Sequence, residues 1–347
     1  MNALIISAIV SFFTTFVITP NAMRFLYAAG IVGLDMHKKK KPKLPASGGT
    51  CVAAGILTGL LTFVGIKTFV YGINFQAMSI HLLAVVSSIV LVTFIGLLDD
   101  LNVKSRPAPT KDGKNIKIGF PLWIKPLLTL PAAIPLMVIS AGETTMAIPI
   151  LGDINFFIFY PLLLVPIGVI GASNMVNMLG GFNGSEAGMG IIYTLSLGLF
   201  SLLYNKEIAA IIFFTTFASL LAFIKFNWYP AKLLPGDSLT YLLGSIVAAG
   251  VIVGNMEKIG LIVMTPFIIQ GILKFYSLIK RRGFASDLGV LQKDGSIKSK
   301  YGRNVYSWTH MVMNFGRFSE RQITIFLIII QIIFAIIPFL EPLKIVL

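Results

Sequence analysis

Long apolar runs separated by short polar segments dominate the pattern of this chain. About ten runs approach the ~20 residues that a helix needs to cross a bilayer. They lie at residues 3–26, 50–70, 82–98, 122–140, 157–175, 187–204, 207–225, 238–254, 259–279 and 322–340. The runs are apolar throughout and lack the alternation that marks a barrel strand. The pattern therefore predicts an all-α integral membrane protein of about ten transmembrane helices, with residues 1–347 forming one polytopic domain.

Composition agrees with this fold class and narrows the set of partners. The 347 residues are 56% hydrophobic and only 12% charged, whereas a soluble domain carries about 25% charged residues. The formal net charge is +14, which in a soluble protein would suggest binding to nucleic acid. Here the basic residues lie between apolar runs, so we expect membrane lipids, and no nucleic acid, as the partner of this charge.

The basic residues are unevenly distributed among the segments between the runs. Most of the 28 Lys and Arg residues lie in segments at about 27–49, 99–121, 226–237 and 280–321. Because basic residues concentrate on the cytoplasmic side of membrane proteins, these segments, and with them 176–186, are predicted to face the cytoplasm. Both termini of this cell-membrane protein would then be extracytoplasmic. The run of lysines from Lys38 is interpreted as a topology signal.

Three acidic residues lie at predicted helix ends on the cytoplasmic side. Asp99 and Asp100 end the third apolar run, and Asp237 precedes the eighth. An aspartate at mid-bilayer costs about 2.5–3.5 kcal/mol, so these positions indicate helix ends that face water. Two interpretations remain open. The residues are solvated ends or, for Asp237, an N-cap; alternatively, the carboxylates surround a hard cation.

A third polar cluster, NMVNMLGGFNGSEAG, interrupts the apolar pattern at residues 174–188. Asn174 and Asn177 share a face if the fifth helix continues this far, and the glycines around Gly181 then break the helix before Asn183. A glycine-rich turn lets backbone amides approach a phosphate or a base. The alternative is a plain turn between two helices. A nucleotide P-loop is excluded, because no Gly-Lys-Ser/Thr follows.

The predicted topology places all three clusters at one membrane face. They supply carboxylate and amide oxygens, which suit Mg²⁺ bound through carboxylates and substrate phosphates. These donors are Asp99, Asp100, Asn177 and Asp237. Arg281 and Arg282, in the basic segment before the last run, suit planar bidentate contacts with anions. The combination predicts a phosphorylated, nucleotide-like substrate and, at a bilayer surface, a lipid as the second substrate.

A family resemblance is carried by four stretches: FIGLLDD, NMVNMLGGFNGSEAG, FNWYPAKLLPGDSLTYLLG and ERQITIFLIIIQI. In this order they resemble the polyprenyl-phosphate N-acetylhexosamine-1-phosphate transferases, and most closely the eukaryotic and archaeal UDP-GlcNAc:dolichyl-phosphate GlcNAc-1-phosphate transferases. GLDMHKKKKPKLPASGG resembles the first cytoplasmic loop of that branch. The resemblance implies transfer of GlcNAc-1-phosphate from UDP-GlcNAc to a polyprenyl (dolichyl) phosphate, with release of UMP. It also implies a Mg²⁺ cofactor, with Mn²⁺ as a substitute, and a homodimer, which is common in the family.

The resemblance also implies roles for the catalytic residues. Asn177 and Asp237 would ligate Mg²⁺. Asp99 and Asp100 would lie beside the metal and the lipid phosphate, with Asp99 a candidate for taking the proton of that phosphate. Lys125, in WIKPLLTLP, matches a family lysine near the phosphates.

A second group of residues is expected to bind the UDP-sugar. By the same resemblance, Asn183 would contact the uracil and Gly181 would shape that pocket. Asn174 and Glu186, in the same polar stretch, are further candidates for substrate binding.

Sugar recognition is where this chain departs from the family. The segment with Arg281 and Arg282 corresponds to the one that recognises the amino sugar, but the eukaryotic Arg-His-Arg is Lys-Arg-Arg here. Bacterial members carry a histidine cluster in the last cytoplasmic loop, where this chain has only His310 nearby. A different UDP-amino sugar, or undecaprenyl phosphate as the lipid, is therefore an alternative. A transporter or flippase is the alternative from another class; it would show charges near the midplane and paired halves with broken helices.

Overall fold

The computed structural model describes residues 2–72, 76–101, 104–107, 115–118, 120–121, 123–148 and 152–340. Helices carry the fold in this part of the chain. They are α1 (Asn2–Ala28), α2 (Gly49–Gly65), α3 (Gln76–Leu101), α4 (Lys125–Thr129), α5 (Ile134–Val138), α6 (Val165–Asn177), α7 (Ser185–Leu203), α8 (Glu207–Asn227), α9 (Gly236–Gly254), α10 (Glu257–Val263), α11 (Thr265–Arg281), α12 (Trp308–Phe315) and α13 (Glu320–Ile336). The predicted fold class is confirmed at this level.

Short antiparallel hairpins lie in the segments between helices. They pair β1 (Val32–Leu34) with β2 (Lys43–Pro45), β3 (Lys104–Pro107) with β4 (Asn115–Ile118), β5 (Thr145–Ile148) with β6 (Gly152–Asn155), and β7 (Val290–Leu291) with β8 (Ile297–Lys298). In the first of them Gly33 lies opposite Leu44. At two to four residues each, the strands are too short to cross a bilayer, which takes about 9–11 residues per strand.

Eight helical segments of the described residues are long and apolar enough to cross a membrane. Two of the predicted runs differ from an unbroken helix. At 122–140 the structure has a shorter apolar helix, Lys125–Val138, in which a 3₁₀ turn separates α4 from α5. Pro131 and Pro135 lie there, and proline removes a backbone donor and disrupts helix geometry.

The run at 259–279 is bent. Its two parts, α10 and α11, meet at 65° just before Pro266, as expected for a proline kink. The count of ten spans, the placement of both termini and the single domain stay predictions. The described residues leave out parts of the predicted segment 99–121 and the end of the chain, namely residues 102–103, 108–114, 119 and 341–347.

Hydroxyl groups and a glycine join α1 to α2 and α8. Ser11 Oγ donates to the Thr215 carbonyl oxygen at 2.7 Å and lies 2.7 Å from Ser219 Oγ. Thr15 Oγ1 donates to Ser219 Oγ at 3.0 Å. A Cβ at Gly55 of α2 would lie only 1.9 Å from Thr15 Oγ1. Small residues and hydrogen bonds hold helices together where lipid removes the hydrophobic driving force. We call these five residues the hydroxyl contact.

Of the eight described segments that are long and apolar enough to cross a membrane, α9 is the most buried, and α3 and α6 pack against it. A Cβ at Gly96 of α3 would lie 2.5 Å from Ser238 Cα, and a Cβ at Gly244 would lie 2.3 Å from the Ala172 carbonyl oxygen of α6. Glycine at both crossings permits this close approach. The C-terminal ends of α3 and α6 therefore meet the N-terminal end of α9, which brings the polar clusters together.

Candidate active site

A cavity of about 500 Å³ lies between the C-terminal end of α6 and the N-terminal end of α9. Many of the predicted site residues line it: Lys125, Asn174, Asn177, Gly181, Asn183, Glu186 and Asp237. Its lining does not include four others that the sequence predicted: Asp99, Asp100, Arg281 and Arg282. It does include residues that the sequence analysis missed, among them Asp35, Thr240, Lys274, Phe284 and Asp287. We call this space the site cavity.

Lys125 lies between two of the predicted catalytic carboxylates. Its Nζ is 2.7 Å from Asp99 Oδ2 and 2.8 Å from Asp237 Oδ2. Asp99 also accepts hydrogen bonds from the Phe120 backbone N–H at 2.7 Å and from the Tyr241 hydroxyl at 2.9 Å. The Asp237 side chain is 29% exposed, whereas the Asp99 side chain is 1% exposed. Asp237 is therefore the carboxylate that a ligand can reach, and Asp99 holds Lys125 in place.

The carboxylate of Asp100 binds the start of α9. Its Oδ1 accepts from the Asp237 backbone N–H at 2.8 Å, and its Oδ2 accepts from the Ser238 backbone N–H at 3.2 Å. These are donors that a helix N-terminus leaves unpaired. The interpretation of Asp237 as the N-cap is wrong, because the helix begins at Gly236 with Pro235 at the N-cap and Asp237 lies in the first turn. Gly236 fits beside the carboxylate because a Cβ there would lie 2.3 Å from Asp100 Oδ2.

Two threonines hold the amides at the end of α6. Asn177 Oδ1 accepts from Thr240 Oγ1 at 2.8 Å, and Asn174 Nδ2 donates to Thr129 Oγ1 at 3.1 Å. Both asparagines line the site cavity, as their three-residue spacing on one helix face predicts. The helix thus continues through Asn177 and presents amide groups to the cavity.

Glu186 holds the turn that follows α6. Its Oε1 accepts from the Gly181 N–H at 2.8 Å, and its Oε2 accepts from Ser185 Oγ at 2.6 Å. Gly181 and Gly184 have φ values of +90° and +81°, which other residues rarely adopt. Glu186 lines the cavity, but both of its oxygens bind the turn. In this structure it shapes the binding surface, while direct contact with substrate stays a prediction.

Asn183 is held at its backbone and at its carboxamide. Its N–H donates to Glu320 Oε1 at 2.9 Å, and its carbonyl oxygen accepts from Thr324 Oγ1 at 3.1 Å. Its side-chain Nδ2 donates to Asp35 Oδ2 at 3.1 Å. The predicted uracil-binding residue therefore joins the turn to the β1–β2 hairpin and to the start of α13.

Lys38 connects the two acidic residues beside Asn183. Its ammonium pairs with Glu320 and lies 3.3 Å from Asp35 Oδ2. The His37 ring stacks on Phe182, with centroids 4.5 Å apart. The distribution of basic residues predicts only a topology role for Lys38. The signal that could have identified this cluster was the acidic residue inside a stretch already assigned to the family, GLDMHKKKKPKLPASGG.

A second charged pair borders the cavity on α11. Lys274 Nζ lies 2.7 Å from Asp287 Oδ1 and donates to the Ala285 carbonyl oxygen at 2.6 Å. Gln270 Nε2 also donates to Asp287 Oδ1, at 3.0 Å. Lys274 lies inside the predicted apolar run at 259–279, and the sequence predicted no role for it in the site. An ionisable residue within an apolar run is itself a signal of function.

Arg281 and Arg282 lie at the C-terminal end of α11 and do not line the site cavity. The Arg281 guanidinium carbon is 4.2 Å from the centroid of the Tyr301 ring and 5.8 Å from that of Tyr306. Arg282 ends α11 with a left-handed φ of 54°. Their role in sugar recognition stays a prediction.

His310 binds the backbone of the segment that follows α11. Its Nε2 lies 2.8 Å from the Ser286 carbonyl oxygen, and its Nδ1 accepts from the Tyr306 N–H at 3.3 Å. Burial lowers the pKa of the imidazole, so the ring is neutral at pH 7, in keeping with one nitrogen donating and the other accepting. His310 does not line the site cavity, and its hydrogen bonds hold the backbone at Ser286 and Tyr306.

The cavity residues fit a hard divalent cation. Among the described residues, no group of three or more His, Cys, Asp and Glu side chains could hold a metal ion. The predicted ligands are instead one carboxylate, Asp237, and one amide oxygen, Asn177, on adjoining helices. The Lys125 ammonium already lies against Asp237, so this position accommodates positive charge. Few protein oxygens, completed by waters and substrate phosphates, are typical of Mg²⁺.

Comparison with known proteins assigns the family. Residues 82–255 match the model of glycosyl transferase family 4. A protein of Saccharolobus solfataricus is 33% identical over 342 residues, which cover 96% of this chain and 95% of that protein. The chain belongs to glycosyl transferase family 4. The family resemblance stated from the sequence is thereby confirmed. The part of this family 4 chain that matches the family model contains Asp99, Lys125, Asn177, Asn183 and Asp237.

The names of the relatives differ in the lipid. The Saccharolobus protein is provisionally named UDP-N-acetylglucosamine–dolichyl-phosphate N-acetylglucosaminephosphotransferase. A Dictyostelium discoideum protein carries the same name without qualification and is 24% identical to this family 4 chain, over 91% of it and 83% of its own length. A Bacillus subtilis protein, provisionally named undecaprenyl-phosphate N-acetylglucosaminyl 1-phosphate transferase, is 25% identical over 97% of this chain and 84% of its own.

Proposed function

We propose that this chain transfers GlcNAc-1-phosphate from UDP-GlcNAc to a polyprenyl phosphate of the dolichyl type, at the cytoplasmic face of the cell membrane. The products are polyprenyl-diphosphate-GlcNAc and UMP, so the reaction is the first membrane step of lipid-linked glycan assembly. A lipid phosphate oxygen forms a bond to the sugar-bearing phosphorus, and the bond from that phosphorus to UMP breaks with its electron pair leaving on UMP. The observation that carries the proposal is the one cavity that joins Lys125 and Asp237 to Asn183.

The size and position of the cavity support a nucleotide donor and a lipid acceptor. Its volume of about 500 Å³ lies within the ~300–1,000 Å³ of small-molecule sites. The segment that carries Lys125 also presents Trp123 and Leu127, which are 75% and 64% exposed. Apolar side chains beside a cationic one match an acceptor that has a prenyl tail and a phosphate head.

The two lysines that line the cavity reduce the electrostatic repulsion between two anionic substrates. Lys125 and Lys274 place ammonium groups in the cavity lining. In a site shielded from water, fixed charges of this kind stabilise the charge that develops on transferring phosphoryl groups. Lys125 is held by Asp99, so its position is set before a substrate arrives. A phosphate monoester with a second pKa of about 6 is largely ionised at pH 7, so the buried Asp99 is not required as a base.

Asp237 and Asn177 would hold Mg²⁺, or Mn²⁺ in its place. When bound, the ion would neutralise diphosphate charge and stabilise the UMP leaving group. Thr240 orients the Asn177 amide, and Asp100 fixes the backbone of Asp237. These hydrogen bonds hold both proposed metal-binding residues at the cavity surface.

The test is UMP release by the purified full-length protein in detergent. We expect release only when UDP-GlcNAc, dolichyl phosphate and a divalent cation are all present, together with a labelled lipid product. UMP release without the lipid, or binding of the nucleotide with no lipid product under any donor and cation, would contradict the proposal. The second outcome is what a transporter or flippase would give. UDP-sugars with other amino sugars, offered in parallel, define the donor.

Undecaprenyl phosphate is a second candidate acceptor. The similarity to the Bacillus subtilis protein named for that lipid favours it. Rates measured with dolichyl and undecaprenyl phosphate at equal concentration separate the two, since the saturated first isoprene unit distinguishes them. The homodimer implied by the family resemblance is part of the proposal and is checked by the mass of the detergent-solubilised protein in light scattering.

A further inference from the structure

We infer that Asp35 is a positioning residue that gives the cavity its preference for uracil over cytosine, by fixing the orientation of the Asn183 carboxamide. The inference rests on the proposed function, in which Asn183 contacts the nucleotide base. Asp35 and Asn183 both line the site cavity, and Asn183 Nδ2 donates to Asp35 Oδ2 at 3.1 Å.

The backbone of Asn183 leaves its side chain little choice of position. Its N–H and its carbonyl oxygen are both engaged, by Glu320 and Thr324 of α13. The residue is 5% exposed and the next glycine, Gly184, is held in a left-handed turn. With the backbone fixed at both groups, the main freedom left is a half-turn of the carboxamide, which would exchange its oxygen and its nitrogen.

Asp35 decides between those two orientations because a carboxylate accepts hydrogen bonds and does not donate them. Only the Asn183 NH₂ group can face it favourably; the amide oxygen would meet a negative charge. Lys38, 3.3 Å from Asp35 Oδ2, and paired also with Glu320, compensates the charge of this carboxylate, which is 4% exposed. A buried charge needs such a partner. The cluster therefore keeps an acceptor-only group next to Asn183.

With Nδ2 turned to Asp35, the carboxamide offers Oδ1 to a ligand. No hydrogen bond to Oδ1 comes from the residues that the structure describes. Uracil carries a donor at its N3–H, between two carbonyl oxygens, so it can bind this acceptor. Cytosine has an acceptor at N3, and two facing acceptors leave a polar group unpaired. A site built to accept one hydrogen bond rejects a ligand that cannot supply it.

Asp35→Asn tests the inference, because asparagine has the same shape and can donate as well as accept. The Asn183 carboxamide can then turn over. We expect the ratio of the Kd values for CDP and UDP, measured by calorimetry on the full-length protein with Mg²⁺, to fall by about tenfold relative to wild type, or about 1.4 kcal/mol. Asp294→Asn is the matched control, since Asp294 is an exposed carboxylate on the β7–β8 hairpin whose contacts are Ser296 and Arg317; its ratio should equal that of wild type.

The Asn183→Ala background separates action through Asn183 from direct contact of Asp35 with the nucleotide. If Asp35 acts through Asn183, adding Asp35→Asn to Asn183→Ala leaves the ratio unchanged. A further change of the ratio in that background would overturn the inference. Asp35→Ala serves as a second variant if Asp35→Asn does not fold, and it too should lower the ratio, because the carboxamide loses its partner.

The results also distinguish this inference from the proposed function. Wild-type protein that binds neither nucleotide, or releases no UMP, overturns the proposed function and the inference together. Wild-type protein that prefers UDP, with an Asp35→Asn variant that prefers it equally, overturns the inference alone.

Discussion

Two groups of polar side chains lie at different places in this molecule and are built from different chemistry. The hydroxyl contact joins the middle of α1 to α2 and α8 and is uncharged; the Oγ1 of Thr15, for instance, also donates to the Ser11 carbonyl oxygen of its own helix at 3.1 Å. The group around Lys125 lies at helix ends and consists of charges, with Asp99 and Asp237 within 2.8 Å of the ammonium.

The difference shows what a membrane permits at each depth. A hydroxyl can donate to a carbonyl one turn back on its own helix and still make a contact with another helix. A carboxylate or ammonium needs a counter-charge and access to water. Polar residues along the middle of a helix therefore report packing, whereas charged residues at helix ends that converge on a cavity report chemistry. Four variants test this division.

The largest expected effect is on catalysis. Asp237→Ala should lower the rate of GlcNAc-phosphate transfer by more than about 100-fold, because a reachable carboxylate and its electrostatic contribution are lost. The melting temperature should change little, since Asp100 and not Asp237 binds the start of α9. The rate is measured with labelled UDP-GlcNAc and the stability by differential scanning fluorimetry. A fully active variant would remove Asp237 from the metal and the mechanism.

The next effect is on stability. Gly55→Val should lower the free energy of unfolding by about 1–3 kcal/mol through overpacking, because a Cβ there would lie 1.9 Å from Thr15 Oγ1. Transfer by the molecules that remain folded should be unchanged. Gly65→Val is the matched control on the same helix, where a Cβ meets nothing within 4 Å. Equal stability of the two variants would show that the hydroxyl contact is loosely packed.

Asp100→Ala should affect both properties, because it removes the acceptor for two N–H groups of α9. We expect a loss of about 1–2 kcal/mol in the free energy of unfolding, as for other lost caps, and a lower transfer rate as Asp237 shifts. Denaturant titration and the transfer assay are run on the same preparation. Loss of activity at unchanged stability would instead support the direct role beside the metal that the family resemblance implies.

The smallest effect is expected at Ser219. Ser219→Ala removes a hydroxyl that contacts both Ser11 and Thr15, but Ser11 retains its hydrogen bond to the Thr215 carbonyl oxygen. Such bonds between membrane helices contribute about 0.6 kcal/mol on average. We expect a shift of this size in the unfolding free energy and an unchanged transfer rate. A change in rate larger than about threefold, beyond what so small a free energy gives, would link the hydroxyl contact to the site.

The fold was predictable where one property of the sequence decided it. Continuous apolar runs located most of the spanning helices, because only a helix satisfies its backbone inside lipid. The interruptions were not predicted: the runs at 122–140 and 259–279 contain proline within an apolar sequence, and hydropathy does not register a missing backbone donor.

The site was predictable only as far as single residues stood out from their neighbours. Asn177, Asn183 and Asp237 did, because polar groups are costly next to apolar runs. Their supporting contacts did not, since the partner is distant along the chain: Asp35 lies 148 positions before Asn183, and Asp100 lies 137 before Asp237. Without an observed contact, Asp237 was as suitable a cap as Asp100, and Asp35 was one charge among lysines.

The stacking of Arg281 on Tyr301 has a consequence for the binding of any sugar that requires this arginine. A cation–π contact stabilises the stacked form by about 0.5–2 kcal/mol, so a guanidinium released to a ligand starts from a disfavoured population. Affinity for such a ligand is then lower by about two- to thirtyfold than with an arginine already in place. Donors that do not use Arg281 escape this penalty, so under the predicted role of Arg281 in sugar recognition the two tyrosines would favour such donors.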